Sequence, residues 1–153
     1  MDLYNFVRLV TRPGTIPRNG ARHATLVSMA PRQRGEVTIL LAEDEPLVRT
    51  LIRNVLTAGG YTVLDAADGQ EALELSRNYT GEIHMLVTDV RMPRMTGVEL
   101  VKKLRSERPG IRVLVMSAEG SGLLAQIGKS KDFIRKPFLM KALLDKVGEI
   151  LAR

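Results

Sequence analysis

Five polar side chains in this sequence stand at the ends of short apolar runs, and their types suit the chemistry of phosphate and a divalent cation. They are Glu43, Asp44, Asp89, Ser117 and Lys136. Three carboxylates in one place repel each other unless they share a cation. Oxygen ligands without histidine or cysteine suit a hard ion such as Mg²⁺, which keeps bound water and recruits phosphate oxygens. We therefore infer a site for phosphoryl transfer onto a carboxylate.

The lysine and the serine would complete this site with a positive charge and a hydroxyl donor for an incoming anion. At about 4 Å and an effective dielectric constant near 20, a lysine contributes on the order of 4 kcal/mol of raw Coulomb attraction. Such a site works by positioning and charge neutralisation, so the fold must bring these residues to one place.

The apolar runs predict an alternation of strands and helices that would do so. Residues 37–42 form a β-branched run typical of a strand buried on both faces of a parallel sheet. Similar strands are predicted at 61–66, 84–89, 111–117 and 132–135, with helices beginning near residues 46, 69, 97, 123 and 138. Capping boxes are predicted at 68–71 and 96–99. Five strands alternating with five helices predict an α/β fold with a doubly wound parallel sheet, whose chemistry collects at the carboxyl ends of the strands.

Length and composition indicate one ordinary globular domain. The chain has 153 residues, of which 44% are hydrophobic and 26% charged, and it has no cysteine. Disulfides and thiolate zinc sites are thereby excluded. No run approaches the roughly 18 apolar residues of a membrane span.

The net charge of +6 is distributed unevenly along the chain. Residues 1–35 hold six arginines and one acid, Asp2, which gives a local charge of +5, whereas 17 basic and 16 acidic residues leave 36–153 at +1. We interpret residues 1–35, hereafter the leader, as a disordered Arg-rich segment or as a mis-assigned start with Met29 as the initiator. Residues 36–153 are the predicted functional domain.

Four motifs in combination resemble the receiver domain of bacterial response regulators, the CheY-like family of two-component systems. The motifs are LLAEDEP (40–46), VTDVRMPRMTG (87–97), VMSA (115–118) and FIRKPF (133–138). The resemblance covers the chain from residue 37 onward and implies a flavodoxin-like strand order of 2-1-3-4-5. It also implies a signalling switch that receives a phosphoryl group from a histidine kinase and is not an enzyme with an independent substrate.

The resemblance assigns roles around the metal. It implies that Asp89 is the phosphoacceptor and that Asp44 and Asp89 bind Mg²⁺ directly. Glu43 would act mainly through water, and the backbone carbonyl of Arg91 would be a further ligand.

The same resemblance assigns the conformational switch. It implies that Lys136 contacts the phosphoryl group and that the Lys136–Pro137 peptide bond is cis. Ser117 would move toward the phosphoryl oxygens, and Phe133 would occupy the aromatic switch position. In any interpretation we expect Phe133 to belong to the core.

The chain departs from the usual receiver in the interval between Ser117 and Lys136, which is a few residues short. We therefore expect a shortened fourth helix, which leaves the family's usual dimer and the oligomeric state open. We also hypothesise that Arg91 and Glu119 form a pair at the rim of the site and slow hydrolysis of the phosphoryl group. The alternative is two independent solvated charges.

Three other functions remain open. The leader could bind nucleic acid beside a degenerate receiver, which would give salt-dependent binding that is lost when residues 1–35 are deleted. An aspartyl-phosphate phosphatase would need an acid where Arg91 stands. Nucleotide binding would require the glycine-containing segments 120–125 and 128–130, which match phosphate-binding motifs poorly.

In preference to these three functions, we expect a receiver that uses Mg²⁺ and has a sensor histidine kinase or a phosphotransfer protein as its partner. Nucleic acid and membranes are not expected partners. The expected location is the cytoplasm, and the receiver would stand alone or belong to a longer protein with an unknown target.

Overall fold

The described part of the chain contains a five-stranded parallel sheet. The computed structural model describes residues 37–118, 124–127 and 132–153. The strands are β1 (Thr38–Ala42), β2 (Thr62–Ala66), β3 (Met85–Asp89), β4 (Arg112–Ser117) and β5 (Phe133–Arg135). Their order is β2-β1-β3-β4-β5, with every neighbouring pair parallel, which confirms the predicted α/β class and the strand order. Each strand begins one residue later than predicted.

In the described ranges, four α-helices connect or follow the strands. They are α1 (Pro46–Ala58), α2 (Gly69–Asn78), α3 (Gly97–Glu107) and α4 (Met140–Leu151). Between β4 and β5 the described residues form a single 3-10 turn, Leu124–Ile127. The rest of the predicted shortened helix lies outside the described residues, as does the leader. Within the described ranges, no helix has the length and apolar character needed to cross a membrane.

The strand side chains alternate between two apolar layers, because successive residues of a strand point to opposite faces. On one face Leu40 and Leu86 pack with buried residues of α2 and α3. On the other face Leu41 and Val87 pack with buried residues of α1 and α4. With helices on both faces, the polar residues that follow the strands are confined to the sheet's ends.

The first turns of α2 and α3 begin with the predicted caps. The Thr96 hydroxyl and the Glu99 carboxylate form a complete capping box at α3. At α2 the Asp68 carboxylate accepts from the backbone N–H groups of Gln70 and Glu71. The Glu71 carboxylate accepts in turn from the N–H of Ala67. A capping box would have used the N–H of Asp68, one residue later. Both helices therefore begin immediately beside the carboxyl edge of the sheet.

Candidate functional site

The carboxyl edge of the sheet brings together four of the residues singled out from the sequence. Glu43 and Asp44 follow β1, Asp89 ends the adjacent β3, and Lys136 follows β5. Carboxylate oxygens of Glu43, Asp44 and Asp89 lie within 4.8 Å of one another. The three side chains differ in exposure, since Glu43 is buried, Asp89 is half-buried and Asp44 is exposed. One side of the group therefore faces solvent, from which an ion can enter.

Lys136 links two of the carboxylates. Its Nζ donates to Glu43 Oε2 at 3.0 Å and to Asp89 Oδ2 at 3.0 Å. Three ionised carboxylates and one ammonium leave a formal charge of −2, which a divalent cation would balance. The donor set is entirely oxygen, which fits a hard ion such as Mg²⁺.

The backbone orients the same two carboxylates. The N–H of Glu45 donates to Glu43 Oε1 at 3.1 Å, and the N–H of Val90 donates to Asp89 Oδ1 at 2.7 Å. Each carboxylate thus has one oxygen held by the backbone and the other held by Lys136. This division fixes both side chains before any ligand arrives.

Burial and hydrogen bonding shift the pKa values of Glu43 and Lys136 in opposite directions. Burial raises the pKa of Glu43 above its usual value, although hydrogen bonds from Lys136 and the Glu45 N–H favour the charged form. Burial by itself would lower the pKa of Lys136, but hydrogen bonds to Glu43 and Asp89 outweigh it and the pKa is raised. Lys136 is therefore charged at neutral pH and available to attract an anion.

Ser117 and Phe133, the predicted switch residues, lie in different environments. Ser117 is buried at the end of β4, and its backbone oxygen accepts from the N–H of Lys136 at 2.8 Å. Phe133 is 41% exposed, so the expectation that it belongs to the core is wrong. In the described sheet β5 is an edge strand of three residues that pairs only with β4, which leaves its side chains less covered than those of a central strand. The Lys136–Pro137 bond is cis, as the resemblance implied.

The proposed rim pair has one member in the described part of the chain. Arg91 is exposed at the start of the loop that follows β3. Glu119 lies outside the described residues, so the pairing of Arg91 with Glu119 stays a hypothesis.

A glycine allows the loop after β3 to fold back on the phosphoacceptor strand. A Cβ added to Gly97 would lie 2.0 Å from the backbone oxygen of Asp89. The N–H of Gly97 donates to the oxygen of Val90 at 2.9 Å. Any larger residue would push α3 away from β3, so Gly97 sets the distance between α3 and Asp89.

Two arginines at this edge were not singled out as site residues from the sequence. Arg49 Nη1 donates to the backbone oxygen of Glu43 at 2.8 Å, while its Nε lies 3.6 Å from Asp65 Oδ2. Arg94, in the loop after β3, binds the carboxylate of Asp68 at the start of α2. Arg94 and Asp68 are 26 residues apart, and no local pattern in the sequence indicates their pairing.

The chain resembles proteins of one family. Residues 39–148 match the response regulator receiver domain family. The chain is 37% identical over 130 residues to the sensor kinase CckA of Brucella abortus, covering 83% of this chain and 14% of that protein. It is 37% identical over 120 residues to the response regulator MprA of Mycobacterium ulcerans, covering 76% of this chain and 51% of that protein.

Solved structures agree with this match. The structure of the chemotaxis response regulator CheY4 of Vibrio cholerae is 30% identical and superposes with a TM-score of 0.66, covering 74% of this chain and 98% of that one. The chain spans about half the length of MprA and about a seventh of the kinase. Receiver domains are signalling modules of two-component systems and not enzymes. The matched residues, the strand order and the acidic edge of the sheet together show that this chain belongs to the response regulator receiver domain family.

Proposed function

We propose that this chain is a phosphoacceptor switch in which Asp89 receives a phosphoryl group from a histidine kinase or a phosphotransfer protein. The observation that carries the proposal is the position of Lys136, whose ammonium lies 3.0 Å from both Glu43 and Asp89 beside the acidic group. A cation fixed next to the acceptor carboxylate attracts a phosphoryl group, which a bare cluster of acids would repel.

The transfer forms a bond between a carboxylate oxygen of Asp89 and phosphorus while the bond from phosphorus to the donor nitrogen breaks. The hydrogen bond from Val90 to Asp89 Oδ1 keeps the carboxylate in one orientation. Lys136 neutralises charge on the incoming group, and Glu43 holds Lys136 in place. Catalysis then consists of positioning and electrostatics.

The donor set supports Mg²⁺ as the cofactor. Asp44 and Asp89 would bind it directly, Glu43 through water, and the backbone carbonyl of Arg91 would complete the protein ligands. When bound, the ion supplies charge neutralisation for the phosphoryl oxygens.

The switch would follow from the added charge, since phosphorylation contributes about one further negative charge and new acceptor oxygens. Ser117 and Lys136 rearrange around the phosphoryl group, and Phe133 turns inward. Its 41% exposure leaves apolar surface for such a movement to bury. A nearly complete shift of the protein from one conformation to the other needs about 5.5 kcal/mol of differential stabilisation between the two conformations.

Two exposed leucines follow residues of the site closely in the sequence. Leu47 is 80% exposed and lies three residues after Asp44, and Leu139 is 78% exposed and lies three residues after Lys136. In this proposal both side chains belong to the surface that the partner covers. A protein that delivers a phosphoryl group to Asp89 would cover them. We place this partner and the chain in the cytoplasm, with residues 36–153 as the receiver.

The test is labelling by a small phosphodonor. Acetyl phosphate with Mg²⁺ is expected to add one phosphoryl group to the unmodified chain, measured by intact-protein mass spectrometry. Asp89→Asn, or removal of Mg²⁺ with EDTA, is expected to abolish the addition. Asp132→Asn, which alters a carboxylate paired with Arg153 outside the site, should label normally. Undiminished labelling of Asp89→Asn would refute the proposal.

A further inference from the structure

The loop of residues 90–96 carries Arg91, whose carbonyl is a proposed metal ligand, and contacts at its start, its end and its middle hold this loop. At its start the N–H of Val90 binds Asp89 Oδ1, and at its end the N–H of Gly97 binds the oxygen of Val90. The third contact reaches a different helix, because Arg94 Nε donates to Asp68 Oδ2 at 2.7 Å and Arg94 Nη2 binds the same oxygen. The first two contacts are local, whereas the third is an ion pair that ties the middle of the loop to α2, beside the buried side chains of Met92 and Met95.

Arg94 adopts an unusual backbone conformation. Its φ is 64°, in the left-handed region that residues other than glycine and asparagine seldom occupy. Among the described residues it is the only one besides glycine with a positive φ. A compensating interaction is therefore expected, and the ion pair with Asp68 supplies it.

Asp68 is well placed to hold Arg94. Its side chain is 4% exposed, and its two oxygens have separate tasks, since Oδ1 caps α2 and Oδ2 binds Arg94. Burial by itself would raise the pKa of Asp68, but the Glu71 N–H and Arg94 outweigh it, so the pKa is lowered and the carboxylate stays charged.

The loop after β3 also lies close to the backbone at the start of α2. A Cβ added to Gly69, the first residue of α2, would lie 2.6 Å from the backbone oxygen of Met95. The loop after β3 therefore packs against the start of α2, where Asp68 supplies a charged contact to it.

We infer that the Asp68–Arg94 ion pair positions the loop after β3 for metal binding, holding the backbone carbonyl of Arg91 where Mg²⁺ requires it. This inference rests on the proposed function, because Mg²⁺ is part of that function. Asp68 and Arg94 are positioning residues that act through the loop, as groups behind metal ligands commonly do.

The test compares Mg²⁺ binding by isothermal titration calorimetry in the unmodified chain and in two single variants. Arg94→Asn removes the ion pair while asparagine still tolerates the left-handed conformation. Asp68→Asn removes the charge while keeping an oxygen that can cap α2. Residues behind metal ligands typically change affinity by 10–100-fold. Because this pair acts through one backbone ligand and Arg94 is 63% exposed, each variant should weaken Mg²⁺ binding by about three- to tenfold.

Two further variants separate positioning from stability. The double variant should bind Mg²⁺ no more weakly than either single variant, because the two residues act as one unit. Arg77→Gln breaks the exposed Arg77–Glu107 pair, which also joins α2 to α3 but at their far ends, and should leave the affinity unchanged. In the metal-free protein, hydrogen exchange at the Gly97 amide should be faster in Arg94→Asn than in Arg77→Gln.

The outcomes are distinct. Unchanged Mg²⁺ affinity in Arg94→Asn overturns the inference, even if that variant unfolds at a lower temperature, because the pair would then be structural only. Should Asp68→Asn fail to fold, Arg94→Asn alone decides. If the unmodified chain does not bind Mg²⁺, the proposed metal site and this inference are both wrong.

Discussion

Glu43 is a carboxylate with 1% exposure whose charge the fold must maintain beside two other acids. Lys136 and the Glu45 N–H favour its charged form, yet burial raises its pKa above the usual value. Sites that bind ions often keep such unfavourable charges, because the arrangement that suits the ligand is not the one that suits the empty protein. At the scale of the residue, this chain therefore gives up stability for a preformed anionic site.

We expect Glu43→Gln to stabilise the metal-free protein at pH 7 by about 0.5–2 kcal/mol, the usual range for stabilising substitutions. The pKa of Glu43 lies above 4.5 in the folded chain, so the folded chain binds more protons than the unfolded chain between 4.5 and that higher value. Stability from this group therefore falls as pH rises through that window, and the advantage of glutamine grows across it.

Urea denaturation at pH 4 and at pH 7 without Mg²⁺ would measure this difference. The exposed Glu74→Gln is the control and should stay within about 0.5 kcal/mol of the unmodified chain. A Glu43→Gln variant that is less stable at pH 7 would contradict the argument.

At the scale of elements, the first residues of α2 and α3 determine where the loops before these helices lie. The caps of α2 and α3 follow from local spacing, because their bonds join residues two to four positions apart. The close approach of α3 to β3 is different, since it depends on Gly97 lying against the backbone oxygen of Asp89. The start of α3 is thus set by packing as well as by its cap.

Gly97→Ala is expected to lower the free energy of unfolding by about 1–3 kcal/mol, the usual cost of overpacking. It should also reduce phosphodonor labelling, because the new methyl group displaces the loop from Asp89. Urea denaturation and mass spectrometry would measure the two effects.

Gly110→Ala is the matched control for this glycine. An added Cβ at Gly110 meets nothing within 4 Å, so stability should change little or rise slightly. Equal stability of the two alanine variants would show that the contact at Gly97 is relieved without cost.

At the scale of the whole molecule, charge is divided between two parts of the chain. The leader has a charge of +5 and residues 36–153 have +1, while the carboxyl edge of the sheet has three acids around one lysine. The overall charge of +6 therefore describes the leader and says little about the site.

Deleting residues 1–35 is expected to leave Mg²⁺-dependent labelling and the thermal unfolding midpoint unchanged. Any binding to duplex DNA at low salt should disappear with the leader, because nearly all of the net positive charge is removed. Labelling kinetics and fluorescence anisotropy at two salt concentrations would measure both. Loss of labelling in the shortened chain would show that the leader belongs to the functional domain.

The sequence by itself determined the elements and the chemistry of the edge. The apolar runs, Pro46 and the caps are local signals, and parallel strands necessarily align their carboxyl ends, so the sequence alone predicts that Glu43, Asp44, Asp89 and Lys136 lie at one edge. Only the tertiary structure showed that Lys136 bridges Glu43 and Asp89, that Phe133 is exposed on an edge strand, and that Arg94 binds Asp68. These three results depend on contacts between distant segments and on how far neighbouring elements cover the edge strand, and spacing along the chain does not encode such distances.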